Sequence, residues 1–430
     1  MAKPKLALIP ASQGTKLYSV LPADGVGDFN FSRNTGATRI NKDGLIETVA
    51  VGKSRLNYPL IDGVVNGCPS HLLEPSKINL VTYSEDFSQL SSQSNVTITD
   101  NQVISPDGTQ NASSFIDNSA TGVHRAFSIY SSSIASGQLV SHSIFAKAKE
   151  HKWFQLSTGG NTNDQWANFD LENGIIGNSS SSANPIIENY GNGWYRCILF
   201  ATTSANNASL AGLVTLTNNL DATSRSPSYS GSNKGVYVFG LQIEQGSYPT
   251  SYIPTSGSAV TRVAETANGA GDASTFNDSE GVLMAEVSAL ADDSSYKTLT
   301  INNNGVSDRI QISINSNNVF IGVIDGNSAE IFQSYSVSNI TNNNKIAVKY
   351  KLNDCSLWIN GIAVLDNLAA SMPSGLSKIS FDKGNVSDEF YGSIKQIQYF
   401  DSALNDSDLE TITSWTSFTD LANGQQYSIK

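Results

Sequence analysis

Short runs in which every second residue is hydrophobic occur along most of this 430-residue chain, separated by clusters of Ser, Asn and Gly. Four of these runs align on one face the residues Tyr237, Phe239, Leu241 and Ile243; Leu283, Ala285, Val287 and Ala289; Ile310, Ile312 and Ile314; and Ile346, Val348 and Tyr350. A period of two places alternate side chains on opposite faces of a strand. Helical periodicity is nearly absent, so the chain is predicted to be all-β, with antiparallel sheets that each bury one face on a core.

Turn and cap residues add detail to this prediction. Residues 349–364 contain two turn signals, Asn353-Asp354 and Asn360-Gly361, whose residue types tolerate a positive φ angle. The stretch is therefore predicted to form three strands in series. Ser407 and Glu410 have the spacing of a capping box, which predicts a short helix through about Ile412.

Neutral polar groups must cover much of the surface of the folded chain. Ser, Thr and Asn together account for 132 of the 430 residues, whereas only 15% of the residues are charged. A hydrophobic content of 39% excludes a disordered chain, and no apolar run approaches the roughly 18 residues of a membrane helix, so membrane insertion is not expected. The net charge of −12 argues against general nucleic-acid binding. The apolar stretch near Met1 is too short for a signal-peptide core, so no signal peptide is expected.

Charge and hydrophobicity divide the sequence into four parts. Residues 1–79 carry nine basic and six acidic residues, a net charge of +3, while the remainder carries −15. A weakly hydrophobic stretch at 255–271 marks a second boundary. We predict an extended N-terminal attachment or oligomerisation segment that orders on assembly, two tandem β-sandwiches, and a short helix with a C-terminal tail. Their predicted bounds are 1–77, 78–262, 263–402 and 403–430.

The sequence contains no pattern typical of an enzyme, a metal centre or a cofactor site. The four histidines are dispersed, and no nucleophile elbow, P-loop or Rossmann pattern occurs. Glu286 is the only carboxylate on the strand 282–289, whereas glycosidases need a pair. Cys68, Cys197 and Cys355 form neither a disulfide framework nor a zinc motif. We expect no catalytic residues, no metal and no cofactor, although a catalytic site assembled from distant loops stays open.

Two acidic loops, residues 382–388 and 401–408, offer oxygen ligands for a structural calcium ion. Neither loop matches the EF-hand pattern. A polar turn and a helix N-terminus explain them equally well, so bound calcium is left unsupported.

An aromatic ring in a polar loop is the best candidate for a functional site. Sugar-binding proteins stack the apolar face of a ring on sugar C–H groups and bond the hydroxyls with amides and carboxylates. The predicted glycan-binding residues are Trp166, Asn161, Asn163, Asp164 and Gln165. Trp166 is the predicted platform, and core packing of its ring is the alternative. Trp194 and Trp358 are interpreted as residues that pack at a strand start and in a core.

Several stretches resemble modules of tailed-phage structural proteins, notably of phages that infect Bacteroidota. These stretches are residues 17–47, Cys68-Pro-Ser-His-Leu-Leu-Glu-Pro75, residues 79–87, and Gln242-Ile-Glu-Gln-Gly-Ser-Tyr-Pro-Thr-Ser-Tyr-Ile-Pro-Thr255 with Thr261-Arg262. The last of them is similar to the end of a carbohydrate-binding-like jelly roll in the same phages. The final domain is similar to concanavalin A-like, laminin-G-type sandwiches, as judged from Asn360-Gly361 and residues 392–410.

The resemblance implies a virion protein: a tail fibre or spike, a head fibre or a capsid decoration. It implies contacts with other virion proteins, here assigned to the N-terminal segment, and self-association. A homotrimer is expected because the edges of many strands need cover. The protein would be made in the host cytoplasm, released by lysis and located on the virion surface. We expect the sandwiches to bind a host or environmental glycan; the alternatives are a purely structural spacer and, less favoured, a polysaccharide depolymerase.

Overall fold

The computed structural model describes residues 3–415 and is built almost wholly of β-strands. Within those residues it contains 36 strands, one α-helix and one 3-10 helix. The strands pair in antiparallel ladders and form two sandwiches. The predicted all-β, antiparallel class is therefore confirmed. The predicted C-terminal tail lies outside the described residues from residue 416 onward.

The first part of the chain forms ten short strands. They are β1 (Leu6–Leu8), β2 (Lys16–Leu17), β3 (Phe29–Ser32), β4 (Ala37–Ile40), β5 (Ile46–Val49), β6 (Leu56–Asn57), β7 (Leu60–Ile61), β8 (Val64–Val65), β9 (Ser70–Leu73) and β10 (Lys77–Asn79). Two pairs among them, β4 with β5 and β7 with β8, are separate two-stranded hairpins.

The next part forms a sandwich of two six-stranded sheets. After a 3-10 helix at Phe87–Gln89, its strands are β11 (Ser92–Ser94), β12 (Val96–Ile104), β13 (Gln110–Asp117), β14 (Thr121–Val123), β15 (Arg125–Ser131), β16 (Leu139–Ala148), β17 (Trp153–Gly160), β18 (Trp166–Asp170), β19 (Ile175–Ser179), β20 (Ile186–Asn189), β21 (Trp194–Thr202), β22 (Ser209–Leu216), β23 (Ser228–Ser230) and β24 (Gly235–Gln245). The strand orders are β11-β15-β22-β17-β18-β19 and β12-β13-β24-β16-β21-β20.

The last part supplies most of a second sandwich. Its elements are β25 (Val260–Arg262), β26 (Thr266–Ala270), β27 (Glu280–Ala289), β28 (Lys297–Asn302), β29 (Arg309–Asn315), β30 (Asn318–Asp325), β31 (Ser328–Ser336), β32 (Asn344–Lys351), β33 (Cys355–Ile359), β34 (Ile362–Leu368), β35 (Lys378–Ser380), β36 (Gly392–Phe400) and helix α1 (Asp406–Thr413). Sheet I has the order β34-β33-β32-β27-β36-β9-β6, with β1 also on β36, and sheet II has the order β2-β3-β26-β35-β28-β29-β30-β31.

The N-terminal segment is not the extended, separate segment that the sequence predicted. Its strands β1 and β9 pair with β36 in sheet I, and β2 and β3 join sheet II through β26. Leu6, Leu17, Phe29 and Leu73 are at most 1% exposed and lie in the same core as Leu283. Strands of two to four residues carry too little periodicity to be recognised from sequence. A role of this segment in attachment stays a prediction.

The first sandwich is inserted into the second rather than joined to it in tandem. Strands β10 and β25 pair with each other, with Lys77 opposite Arg262 and Asn79 opposite Val260. The chain therefore enters and leaves the first sandwich on two adjacent strands. We call this sandwich the inserted sandwich, and we call the one that combines both ends of the chain the composite sandwich.

A buried cluster of five charged side chains lies where the two crossing strands meet the N-terminal segment. Arg33 Nη1 and Arg55 Nε donate to Glu265 Oε1 at 2.6 and 2.9 Å. Arg55 Nη1 and Arg262 Nη1 lie 2.8 and 2.7 Å from Glu74 Oε2. Burial raises the pKa of Glu74, but the two arginines outweigh it and bring that pKa down to about 2. Arg33 and Arg55 are two of the basic residues that suggested an attachment segment, and they form ion pairs inside the fold.

Three of the four predicted hydrophobic faces are confirmed, and a β-bulge makes the fourth wrong. The aligned residues of β27, β29 and β32 all lie in the composite core. In β24, Leu241 and Ile243 lie in the inserted core, but Tyr237 and Phe239 belong to a cluster on the opposite face. Gly240, with a φ of +65°, coincides with a register shift against β16. The extra residue of a bulge reverses the alternation beyond it.

The predicted turns and helix are present. Asn353, Asn360 and Gly361 have positive φ angles between β32, β33 and β34, which confirms three strands in series. Helix α1 begins after Asn405, whose Oδ1 accepts from the backbone N–H of Asp408 at 2.9 Å, so the cap lies two residues before Ser407. This helix packs on the outer face of sheet I, where Trp358 is 7% exposed, as its core assignment required.

Candidate functional site

The ring that the sequence predicted as a glycan platform is buried. Trp166 is the first residue of β18 and is only 9% exposed, and its backbone N–H donates to Ser180 Oγ at 3.1 Å. The expectation of an open ring is therefore wrong for Trp166, because its place in a paired strand turns it toward neighbouring residues. Trp194 starts β21 and is 2% exposed, as predicted.

The polar residues before Trp166 hold the loop together. Asn161 Oδ1 accepts from the N–H of Ser209, and Asn163 Oδ1 accepts from the N–H of Thr202, both at 2.9 Å. A further bond at 2.7 Å runs from Ser180 Oγ to Gln165 Oε1. Asp164 has a positive φ angle and its carboxylate lies 3.5 Å from Arg225 Nη1. The five residues are adjacent in space, but four of them already have internal partners. Glycan binding by this loop stays a prediction.

A different surface combines rings with polar groups: the outer face of sheet II, the side turned away from the composite core. Strand register arranges its side chains in rows across β28, β29, β30 and β31. One row contains Thr298, Ser313, Phe320 and Ser334, and the next contains Thr300, Gln311, Gly322 and Phe332. No helix packs on this face within residues 3–415, because α1 packs on sheet I.

Three aromatic rings lie together on this outer face, and we call them the aromatic cluster: Tyr296, Phe320 and Phe332. The rings of Phe320 and Phe332 are stacked with centroids 5.3 Å apart, and Tyr296 meets Phe320 edge-on at 5.3 Å. Phe332 is 45% exposed and Tyr296 is 36% exposed. Gly322 lies between Phe332 and Gln311, and the Gln311 side chain packs over it, since an ideal Cβ at Gly322 would lie 2.9 Å from Gln311 Cγ.

Beside the aromatic cluster runs a chain of hydrogen-bonded polar side chains, the polar chain. Arg309 Nε donates to Gln311 Oε1 at 2.8 Å, and Gln311 Nε2 donates to Ser313 Oγ at 2.8 Å. Ser313 Oγ and Thr298 Oγ1 share a bond of 2.8 Å. Gln311, Ser313 and Thr298 are at most 3% exposed, so these mutual bonds satisfy buried polar groups beside the rings.

The loop after β35 lines one side of an open cavity of about 230 Å³ at the Arg309 end of the polar chain. The cavity is lined by Val306, Arg309, Ile324, Lys383, Asn385 and Ser387 among others. The loop is held down by its close approach at Gly384, where an ideal Cβ would lie 2.2 Å from the backbone oxygen of Gly305. Gly384 also has a φ of +99°, so only glycine suits this position.

Two cationic side chains line this cavity in a chain whose net charge is −12. Burial lowers the pKa of Arg309, and nearby Asp388 acts against that shift; a guanidinium still stays charged at neutral pH. Lys383 Nζ lies 3.4 Å from Asp388 Oδ2, and both side chains are more than one-third exposed. Two positive charges and one negative charge therefore surround the cavity.

A larger cleft of about 740 Å³ lies between the two sandwiches. Lys77, Leu139 and Gln245 line one side, and Asp292 and Asp293 line the other. Lys77 Nζ is already bonded to the backbone oxygen of Gln245 and lies 5.6 Å from the Tyr248 ring. Lys77 therefore already joins the crossing strand β10 to the inserted sandwich.

Neither acidic loop shows a set of open oxygen ligands. Asp382 accepts from the N–H of Gly384 and from Asn268 Nδ2, and Asp401 lies 3.7 Å from Lys5. In the part of the chain that the structure describes, no three His, Cys, Asp or Glu side chains gather as metal ligands. Of the helices in that same part, none has the length and apolar character needed to cross a bilayer.

Sequence reasoning missed the aromatic cluster although a signal was present. In β30, Val319, Ile321 and Val323 face the core, so Phe320 must face outward. An apolar ring on the outer side of an otherwise alternating strand is the signal, and it needs the strand partners to be interpreted.

No family model matches this sequence, and neither does any curated protein. Among solved structures, the CBM40 of the Ruminococcus gnavus IT-sialidase, bound to α2,3 sialyllactose, is similar to 34% of this chain and 94% of its own, at 16% identity and a TM-score of 0.29. Domains LG4-5 of the mouse laminin α1 chain match over 82% of this chain and 96% of theirs, at 10% identity and a TM-score of 0.23.

A third similar structure is the Trypanosoma rangeli sialidase in complex with the inhibitor DANA. It is matched over 93% of this chain and 82% of its own, at 11% identity and a TM-score of 0.28. These similarities are too distant to support a functional conclusion for this chain.

Proposed function

We propose that this chain is a virion surface protein of a tailed phage that binds a glycan on the outer face of sheet II. The observation that carries the glycan part is the pair of partly exposed rings in the aromatic cluster, Phe332 and Tyr296. The proposal moves the binding site from the loop before Trp166 to a face that the sequence alone did not single out.

The chemistry of the outer face suits a sugar. A pyranose presents C–H groups on its faces and hydroxyls on its rim. The half-exposed rings of Phe332 and Tyr296 offer apolar area to the C–H groups. Ser334, which is exposed and lies opposite Phe320, offers a hydroxyl beside the rings. Gln311 and Ser313 are 3% and 0% exposed, and they support the rings from below.

The virion part of the proposal is supported by the phage-like stretches of the sequence. Residues 17–47 and 242–255 carry that resemblance. Two N-terminal residues, Val51 and Val64, are 58% and 67% exposed; they lie beside the β4–β5 hairpin and in the β7–β8 hairpin, which we propose as the contact with other virion proteins. We further propose a homotrimer without catalytic activity or cofactor, located on the virion surface.

A glycan array probed with the purified full chain tests the binding proposal. Phe332→Ala is expected to weaken binding of every positive glycan about fivefold or more, because it removes stacking area. The matched control is Tyr335→Ala. Tyr335 is also 45% exposed and lies on the same strand, but it is opposite the core residue Val319 and so points to the other side of the sheet. Trp166→Ala probes the loop that the sequence predicted.

The outcomes separate the alternatives. Binding that is lost in Phe332→Ala and kept in Tyr335→Ala supports the outer face. Equal losses in both variants, or loss in folded Trp166→Ala alone, would contradict the assignment of the site. An array without any positive glycan would leave the structural-spacer alternative. Shortening of a host polysaccharide by the protein would reveal the depolymerase alternative. Immunogold labelling of intact phage particles tests the virion part, which unlabelled particles would refute.

A further inference from the structure

We infer that the glycan on the outer face of sheet II carries an acidic substituent, a carboxylate or a sulfate ester, which occupies the cavity beside Arg309. The inference rests on the proposed function, because it assigns the ligand class of the same face. Three observations support it. One nitrogen of the Arg309 guanidinium has no hydrogen-bond partner, the charge of Arg309 has no paired carboxylate, and the cavity lies some distance from the aromatic cluster.

The guanidinium of Arg309 is held in place with one nitrogen left over. Its Nε donates to Gln311 Oε1, and its Nη1 donates to the backbone oxygen of Val306. Within residues 3–415, its Nη2 has no hydrogen-bond partner. A guanidinium that is fixed in this way is preorganised for an anionic oxygen, and bonds between charged groups are the strongest of protein hydrogen bonds.

The charge of Arg309 is not neutralised by an ion pair in the part of the chain that the structure describes. The residue is 7% exposed, yet no carboxylate oxygen there lies within salt-bridge distance of it, since Asp388 pairs with Lys383 instead. The buried arginines of the ionic cluster, Arg33 and Arg55, both have glutamate partners at short distance. A nearly buried cation without a paired anion is costly, and an anionic ligand would offset that cost.

The cavity and the aromatic cluster are far enough apart for an oligosaccharide. Arg309 at the cavity and Ser313 beside Phe320 are four residues apart on β29, which is about 13 Å at the rise of a strand. A single sugar would not reach both places. A short chain of sugars, with one unit on the rings and an acidic unit at the cavity, would span this distance.

Calorimetric titration of the full chain with two matched pairs of probes tests the inference. One pair is an oligogalacturonate and its methyl ester, and the other is a sulfated galactan oligosaccharide and its desulfated form. The charged member of at least one pair is expected to bind about tenfold or more tightly than its neutral partner. The pair that shows the difference identifies carboxylate or sulfate as the acidic group.

Variants at the cavity sharpen the test. Lys383→Gln is expected to weaken binding of the charged probe about threefold, and Arg309→Gln about tenfold, with little effect on the neutral probe. Lys378→Gln is the matched control, since Lys378 lies in β35 of the same sheet and its Nζ bonds to Asn304 Oδ1 outside the cavity lining. Because Arg309 also holds Gln311, the partly exposed Lys383 keeps the test independent of local folding.

Each outcome has a defined meaning. Equal affinities within both pairs, or charged probes that bind Lys383→Gln and Arg309→Gln as tightly as the parent, would overturn the acidic ligand. If the array yields only neutral ligands that depend on Phe332 and no charged probe binds, the inference fails and the proposed function stands. If no glycan binds in either experiment, both fail together.

Discussion

The two sandwiches place their aromatic side chains differently. In the inserted sandwich, Trp166 and Trp194 are 9% and 2% exposed, and the amides near Trp166 accept from backbone N–H groups of β21 and β22. In the composite sandwich, Phe332 is 45% exposed on the outer face of sheet II, beside buried polar groups that bond to one another. Rings contribute most to stability when they are buried. The comparison teaches that the exposure of a ring depends on its strand and its neighbours, and that nearness to amides in sequence does not predict it.

Removal of the N-terminal strands is expected to have the largest effect, and to affect the two sandwiches differently. A chain without residues 1–75 is expected to lose the fold of the composite sandwich, because both of its sheets lose strands and its core loses Leu6, Phe29 and Leu73. The inserted sandwich, whose core is formed by residues 81–243, is expected to stay folded. Differential scanning calorimetry would show one transition in place of those of the full chain. A composite sandwich that stays folded without residues 1–75 would contradict this prediction and favour the tandem arrangement that the sequence predicted.

The next largest effect is expected at the buried ionic cluster. Glu265→Ala leaves Arg33 buried without its carboxylate partner and leaves Arg55 with Glu74 alone. This change is expected to destabilise the composite sandwich by about 3–5 kcal/mol. Urea denaturation measures this loss. The control Glu280→Ala removes a partly exposed ion pair with Lys351 and should cost less than about 1 kcal/mol. Similar losses in the two variants would show that the cluster does not stabilise the junction.

Replacing one ring in each sandwich compares the two directly. Trp166→Ala is expected to destabilise the inserted sandwich by about 3 kcal/mol, because it leaves a cavity where a nearly buried ring packed. Phe332→Ala is expected to cost the composite sandwich only about 1 kcal/mol, since almost half of that side chain already faces solvent. Urea denaturation of both variants provides the numbers. A larger loss in Phe332→Ala would mean that the aromatic cluster serves stability rather than binding.

A smaller, pH-dependent effect is expected in the inserted sandwich. His142 lies on the same face of β16 as Val140, and neither ring nitrogen has a hydrogen-bond partner among residues 3–415. Burial lowers the pKa of His142 to about 3, from an ordinary 6.5. The unfolded chain therefore takes up a proton as the pH falls below 6.5, whereas the folded chain does so only near pH 3, and stability falls across that interval. The loss between pH 6.5 and 5 is about 2 kcal/mol.

His142→Leu provides the test of that pH dependence. The melting temperature of the inserted sandwich should then change less between pH 6.5 and 5. The composite sandwich contains His71, whose pKa burial lowers to about 4, and should keep its own dependence on pH. An unaltered pH profile of the inserted sandwich in the variant would show that another group is responsible.

Long alternating strands were predictable from the sequence because their pattern is complete within a few residues. The faces of β27, β29 and β32 were found in this way, and so was the turn at Asn360-Gly361. The face of β24 was wrong because one glycine, Gly240, adds a residue that the partner strand does not match. Periodicity cannot reveal such a bulge without knowledge of the pairing.

The N-terminal strands and the aromatic cluster depend on partners distant in sequence. β1 pairs with β36, about 390 residues later, and three residues show no period of their own. Phe320 and Phe332 become neighbours only through the register of β30 and β31. The cavity beside Arg309 exists only because the loop that contains Gly384 packs against β29 and β30. Local sequence therefore determined strands and turns, while the candidate site followed from long-range pairing.

The pairing of β10 with β25 has a mechanical consequence. The two ends of the inserted sandwich are held next to each other, with Lys77 opposite Arg262. A force along the composite sandwich can therefore pass directly between β10 and β25. It does not have to be transmitted through the inserted sandwich. A force applied to sheet II would therefore strain the composite sandwich and leave the inserted sandwich unloaded.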